Sequence, residues 1–382
     1  MDAPRVGIWI TDRPLQGGGG AERRFARMVA HLRARENPPP VRLILTERLF
    51  RELVEEVSIP VPRDAVILVD EPVRSTSEGV WRMAFRRSGL LRGLCRDHRL
   101  DVVHLLAAPY FFFPFLLGKP RGLAVVFSLV AHPYLTQYEH LSWKAKLALH
   151  LYLRRADAVD SLYFGFADRF PRYADKSRTT PCAFTDYNRF VPADHREPWM
   201  VFSGRFDRAK NAGLFLEAVQ RIAGSMREGG WKAFLLGGGH EEPALRDYLH
   251  RFHLDDIVEM KAVPDTSPIL ARASIVLSLQ ERENYPSQSL LEAMASGNAV
   301  IATDVGDTRR LVQPDRGMLL DRQTPEALSD ALLDLMRDPE RRAEMGRRAR
   351  AFVVEHHTVQ RAADHLLEVW KLAAARRRGG RL

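Results

Sequence analysis

Short apolar runs of strand length alternate with longer amphipathic stretches along the whole chain. In the first half the runs are Val6–Thr11, Val41–Thr46, Ala65–Val69, Asp101–Leu106 and Ala124–Val130. In the second half they are Trp199–Ser203, Ala233–Leu236, Ile257–Met260, Ile275–Leu279, Ala299–Thr303 and Gly317–Leu320. Their Val, Ile and Leu residues are continuous rather than alternating with polar ones, as expected of parallel strands covered on both faces. Between them the spacing is helical: Phe25, Met28, Val29 and Leu32 fall at i, i+3, i+4 and i+7 within Ala21–Leu32. This alternation predicts an α/β fold, with two Rossmann-like, doubly wound parallel-sheet domains facing across a cleft. The polar segment Asn188–Pro198, with two prolines, is the expected linker, between domains at 1–190 and 191–357.

Composition narrows the class. A chain of 382 residues with 46% hydrophobic and 27% charged residues is globular and long enough for two domains. The only cysteines, Cys95 and Cys182, exclude a disulfide framework and favour a reducing, cytoplasmic setting. Residues 1–10 lack the pattern of a secretory signal. The longest apolar stretch, Leu105–Leu117, is too short to span a bilayer and contains Pro109 and Pro114. The net charge of +9 lies within residues 1–190, which hold 29 Lys/Arg against 20 Asp/Glu; residues 191–382 hold 28 of each. Such a basic half suits an anionic membrane or a phosphorylated acceptor; charge alone is the one argument for nucleic acid, which is not expected as a partner.

Ligands of open parallel sheets bind beyond the carboxyl ends of the strands, so the loops there carry the candidate chemistry. Gly17–Gly20 follows the first strand and opens a helix, where bare backbone amides can approach an oxyanion. In Ser203–Asn211, Arg205 and Lys210 flank a short loop after Gly204, and Asn211 is a candidate N-cap; two cations at a helix start suit a diphosphate. Gly237–Gly239 reads first as a tight turn. In Glu281–Gly297, Pro286 and Ser287 mark a helix start and Gly297 its stop. Glu292 is a carboxylate in an otherwise apolar helix, where it needs a partner such as paired ribose hydroxyls.

The Gly19-Gly20-Ala21-Glu22 loop, the strand Asp101–His104, the Gly204-Arg205…Lys210-Asn211 segment and Glu283–Gly306, above all LLEAMASGNAVIATDVG, resemble glycosyltransferase family 4, of the two-domain GT-B fold. The resemblance implies retaining transfer of a sugar from a nucleoside diphosphate sugar, with the donor held mainly by the C-terminal domain. It implies that Arg205 and Lys210 neutralise the diphosphate and that Glu292 binds the ribose. It assigns Glu283, with the backbone of Asn284, Tyr285, Pro286 and Ser287, to the donor sugar. Gly19 and Gly20 would approach the phosphates, and His132 would lie near the reacting carbon. The family's two glutamates have seven residues between them, which puts Asn284 in the first slot and Glu283 one residue early. Either an extra loop residue lets Glu283 keep the role, the preferred reading, or Asn284 replaces it. The resemblance also implies that helix Val359–Ala375, within 358–382, returns to the first domain; the basic tail Lys371–Leu382 reads as a frayed end after a helix.

No Asp-x-Asp sequence occurs, so metal-independent transfer without a cofactor is expected. The acceptor would be a glycan or lipid-linked glycan, in the synthesis of cell-surface polysaccharide or glycolipid. Tyr110–Phe115 is aromatic and Trp143–Arg155 is basic and amphipathic, features that suit peripheral contact with the inner face of the plasma membrane; a core segment and an ordinary covering helix are the plainer reading. A non-catalytic nucleotide-sugar-binding module and a sugar-nucleotide epimerase of the same fold are the alternatives.

Overall fold

The computed structural model describes residues 3–10, 20–70, 79–106, 112–129, 138–282, 285 and 287–379. The chain divides into two compact units, residues 1–181 with 359–382, and residues 182–358. The principal helices are α1 (Gly20–Arg33), α2 (Val80–Asp97), α3 (Phe113–Leu117), α4 (Trp143–Arg155), α5 (Ala212–Glu228), α6 (Glu242–Arg251), α7 (Gln288–Ala295), α8 (Pro325–Arg337), α9 (Pro339–His356) and α10 (Val359–Arg377). Among the described residues no helix is long and apolar enough to cross a membrane.

Unit 1 is built on a seven-stranded parallel sheet of β1 (Val6–Trp9), β2 (Val41–Thr46), β3 (Val66–Val69), β4 (Val102–Leu105), β5 (Ala124–Leu129), β6 (Ala158–Ser161) and β7 (Ser177–Thr179). Their order is β3-β2-β1-β4-β5-β6-β7, with Val6 in register with both Val41 and Val102. The apolar pattern predicts the first five strands. It misses β6 and β7, whose sequences AVDS and SRT have no apolar run to betray them.

Asp160 of β6 is buried because a polar chain crosses the sheet to meet it. Trp370 Nε1–H of α10 donates to His104 Nδ1 of β4 (3.1 Å), so the imidazole carries its proton on Nε2 and donates to Ser128 Oγ of β5 (2.6 Å). Ser128 Oγ–H donates to Asp160 Oδ2 (2.5 Å), and His365 of α10 and the Thr180 hydroxyl donate to Oδ1 at 2.9 and 2.8 Å. Burial holds the His104 pKa down at about 4, and a second proton would set Nδ1 against the Trp370 donor. Burial opposes ionisation of Asp160, but the hydrogen bond and charge of His365 outweigh it and keep the carboxylate well below its ordinary pKa. Through Trp370 and His365 this chain fastens α10 to the sheet of unit 1. The helix runs to Arg377, so the tail is ordered further than expected; Arg376 pairs with Asp175 (2.7 Å) and Arg377 donates to the Pro120 carbonyl (3.3 Å).

Unit 2 has a six-stranded parallel sheet of β8 (Trp199–Ser203), β9 (Lys232–Leu236), β10 (Val258–Lys261), β11 (Ile275–Ser278), β12 (Ala299–Thr303) and β13 (Met318–Leu320), in the order β10-β9-β8-β11-β12-β13. Phe215, Leu277, Ile301 and Leu332 lie in its core, each such burial contributing roughly 1.5–3 kcal/mol. The stretch Asn188–Pro198, read as a linker, belongs to this unit. Arg196 donates to the carbonyls of Leu270, Ala271, Ala273, Ser296 and Gly297, and Arg189 pairs with Asp265 (2.8 Å). The division falls between Pro181 and Cys182 instead, because these contacts pin the polar stretch down.

Two outcomes follow. Between pH 6.5 and 4 the unfolded chain takes up a proton that folded His104 refuses, so stability should fall as pH falls, by roughly 3 kcal/mol across the window. His104→Gln presents the same acceptor and donor without titrating, and its melting temperature should depend less steeply on pH over that range; equal slopes would discount the imidazole. Gly237, at φ 151°, has no room for a side chain, since a Cβ would overlap the Gly204 carbonyl oxygen. Gly237→Ala should destabilise unit 2 by about 2–3 kcal/mol in denaturant melts.

Candidate active site

The order of the second sheet reverses between β8 and β11. The chain leaves β8 for α5 and β9 on one side and leaves β11 for α7 and β12 on the other. Their loops therefore diverge at the carboxyl edge, the place where open parallel sheets bind ligands. Gly204, Arg205 and Lys210 lie in the loop after β8. Tyr285, Ser287 and, within α7, Glu292 follow β11.

The loop after β8 is held by the one after β9. Gly204 N–H donates to the Leu236 carbonyl (3.0 Å), Phe206 N–H to Gly238 (2.9 Å), and Glu241 N–H back to Phe206 (3.2 Å). Gly237 and Gly239 are glycines because the carbonyls of Gly204 and Phe206 occupy the space of a Cβ. This supports the turn reading of Gly237–Gly239, with a neighbouring backbone as the cause. The loop then tightens on Asp207, whose carbonyl accepts from the amides of Lys210 and Asn211 at 2.9 and 3.2 Å. Asn211 occupies the N-cap position of α5 in a left-handed conformation (φ 54°, ψ 49°) and makes no side-chain cap hydrogen bond, so its contribution there is its backbone.

The two cations of this loop differ. The Arg205 guanidinium is exposed and pairs with Asp207 at 2.8 Å. Lys210 is half-buried, and its Nζ donates to Gln280 Oε1 (3.1 Å) just beyond β11. Burial and then the Arg205 charge push its pKa down to about 8, against the attraction of Asp207. Two more links join the divergent loops: Glu281 N–H to the Ala209 carbonyl (3.1 Å) and Arg208 Nε to Glu281 Oε1 (3.3 Å).

Gln280 does not figure in the sequence-based site, although it is buried and doubly fixed. Its N–H donates to Thr303 Oγ1 and its carbonyl accepts from the same hydroxyl, both at 2.8 Å. Its side-chain amide also donates to Ser278 Oγ (3.5 Å). The available signal was its place, the first polar side chain after an apolar strand next to the reversal of strand order.

Ser287 N-caps α7, and Ser287 and Tyr285 are buried. Glu292 is half-buried and accepts from Gln288 Nε2 (3.1 Å) one turn earlier. The far end of α7 is fixed as well: Gly297 takes φ 69°, and Arg196 and Arg350 donate to the carbonyls of Ser296 and Ala295. Glu283, Asn284 and Pro286 lie outside the described residues, as do Gly19 and His132; Gly20 begins α1 in unit 1. Among the described residues no group of three or more His, Cys, Asp or Glu could hold a metal ion.

Residues 197–338 match the family described as glycosyl transferases group 1. N-acetyl-alpha-D-glucosaminyl L-malate synthase of Bacillus anthracis is 32% identical over 36% of this chain and 37% of its own length. D-inositol 3-phosphate glycosyltransferase of Pseudarthrobacter chlorophenolicus is 29% identical over 56% of this chain and 51% of its own. The chain thus spans about half or less of the length of these curated relatives. Among solved structures, Anabaena HepE in complex with UDP and glucose superposes with a TM-score of 0.73 at 17% identity, over 96% of this chain and 99% of that one. Sucrose-phosphate synthase of Thermosynechococcus elongatus gives 0.75 at 17% identity, over 96% and 98%. The chain has the GT-B fold of two parallel-sheet domains, and its residues 197–338 are similar to glycosyl transferases group 1.

Proposed function

We propose that the protein is a retaining, metal-independent family 4 hexosyltransferase that moves a sugar from a nucleoside diphosphate sugar to a glycan or lipid-linked glycan, in cell-surface polysaccharide or glycolipid synthesis. The observation that carries the reading is Lys210, a half-buried ammonium aimed by Gln280 at the reversal of strand order. The structural likeness to a protein solved with UDP-glucose supports the donor class. Two buried free thiols accord with a cytoplasmic setting.

The chemistry follows the charge. The bond from the anomeric carbon to the diphosphate oxygen breaks, and its electron pair stays on that oxygen. The acceptor oxygen bonds to the same face of the anomeric carbon, and its proton passes to the departing diphosphate. The products are the glycoside and the nucleoside diphosphate. Lys210, already in place, lowers the energy of the growing negative charge without reorganising, while exposed Arg205 closes on it by exchanging Asp207 for phosphate. Amides at the start of α7 face the same charge. Glu292 accepts hydrogen bonds from the ribose, and Glu283 or Asn284 with the backbone of Tyr285–Ser287 holds the donor sugar. Gly19, Gly20 and His132 keep the roles that the resemblance implies.

Lys210→Ala and Glu292→Ala should each cut transfer or donor hydrolysis at least tenfold with melting behaviour preserved, and EDTA should leave the wild-type rate unchanged. Wild-type rates in either variant would refute the assignment, and donor binding without turnover would favour the non-catalytic alternative. Because Lys210 loses its proton as pH rises through about 8, donor affinity measured by calorimetry should fall above that pH. In Lys210→Arg this alkaline decline should disappear.

A further inference from the structure

Large aromatic side chains are normally buried, and a cluster of them in water marks a contact surface. Unit 1 has such a cluster where the first turns of α2 and α4 meet α3. Trp81 is 62% exposed and Phe85, one turn on, 64%; Trp143 is 70% exposed and Leu147, one turn on, 51%. Leu117 at the end of α3 is 54% exposed, and the rings of Trp81 and Phe113 meet edge to face at 6.1 Å. Trp81, Phe113, Trp143, Leu147 and Leu151 line an open groove of about 510 Å³. Phe112 and Phe115, which the aromatic segment had offered as a docking element, are instead fully buried in the core. The exposed surface comes from α2 and α4.

We propose that this patch docks the protein onto an anionic lipid bilayer. Charge selects the occupant. Arg82 and Lys144 are exposed in the first turns of α2 and α4, and the two helices hold a single carboxylate, Asp97, in the last turn of α2. Glu139, just ahead of α4, is taken up by Arg169 and Lys146. Residues 1–181 with 359–382 hold 34 Lys/Arg against 21 Asp/Glu, whereas residues 182–358 hold 23 against 27. A second copy seated on the patch by a twofold axis would set these cations against their own duplicates, which like-charge repulsion disfavours. A lipid surface presents anionic phosphates above an apolar layer. Tryptophan suits that boundary, its ring in the apolar layer and its N–H at the headgroups, and Lys144, 5.7 Å from the Trp143 ring, is within reach of the phosphates.

The 382-residue chain, mixed with sucrose-loaded vesicles at 0.1 M NaCl, tests this without a donor or turnover, so its failure is distinct from failure of the proposed activity. It should sediment with phosphatidylcholine vesicles containing 30% phosphatidylglycerol and bind pure phosphatidylcholine at least tenfold more weakly. Trp81→Ser with Trp143→Ser should weaken anionic-vesicle binding at least tenfold, and so should the charge reversal Arg82→Glu with Lys144→Glu. All four positions are exposed, so melting curves should match the wild type. Equal binding to both vesicle types, no binding to either, or undiminished binding in both double variants would overturn the proposal. So would a wild-type dimer in light scattering that the tryptophan variant dissolves, which would give the patch to a second copy.

Discussion

A lysine ammonium withdrawn from water is costly unless something holds it, and the second unit is arranged around one. Lys210 sits between two loops that leave neighbouring strands in opposite directions, and the Gln280 amide oxygen of the far loop accepts a hydrogen bond from its ammonium. A neutral amide at that position is a compromise. A carboxylate there would stabilise the ammonium more strongly and would compete with an incoming phosphate. An apolar side chain would let burial drive the pKa lower still. With Gln280 the charge survives at neutral pH, close enough to its pKa that an arriving anion gains from completing its pairing.

That arrangement requires a fixed glutamine, and the supports can be followed outward. The Thr303 hydroxyl grips both backbone groups of Gln280, and Thr303 ends β12, the neighbour of β11. On the other side, Gly237 and Gly239 admit the carbonyls of Gly204 and Phe206, which lets the loops after β8 and β9 interlock. The conformational freedom of glycine at Gly237 thus serves the backbone of an adjacent loop.

The sheets were legible in the sequence because parallel strands covered on both faces are apolar throughout. Two strands escaped notice: β6 carries a buried Asp160 that is satisfied by His365, which arrives 205 residues later, and β7 is a three-residue edge strand that is nowhere buried. The linker was misplaced for a related reason. Asn188–Pro198 looks solvated by composition, but Arg196 finds carbonyls in two distant segments, around Ala271 and Ser296. The candidate site was readable as residue types at strand ends, with Arg205 and Lys210 in one loop and Glu292 in α7. The sequence could not show that one cation would be exposed and the other withdrawn, nor that a glutamine outside the motif would orient it.

The same logic bears on how the two units divide their charge. Unit 2, where a diphosphate is proposed to bind, carries a net excess of carboxylates, whereas unit 1 is strongly basic. Long-range attraction for a small anion is therefore not supplied by the net charge of the unit proposed to hold it. The local field at Lys210, Arg205 and the first turn of α7 must supply it, over distances shorter than the roughly 8–10 Å at which salt screens exposed charges. The basic surface of unit 1 is free to act on something larger. A flat anionic surface meets many cations at once and gathers contributions that single surface pairs do not make. On this reasoning the net charge of +9 sums two unlike distributions, one suited to recognising a small anion locally and one suited to a broad anionic surface.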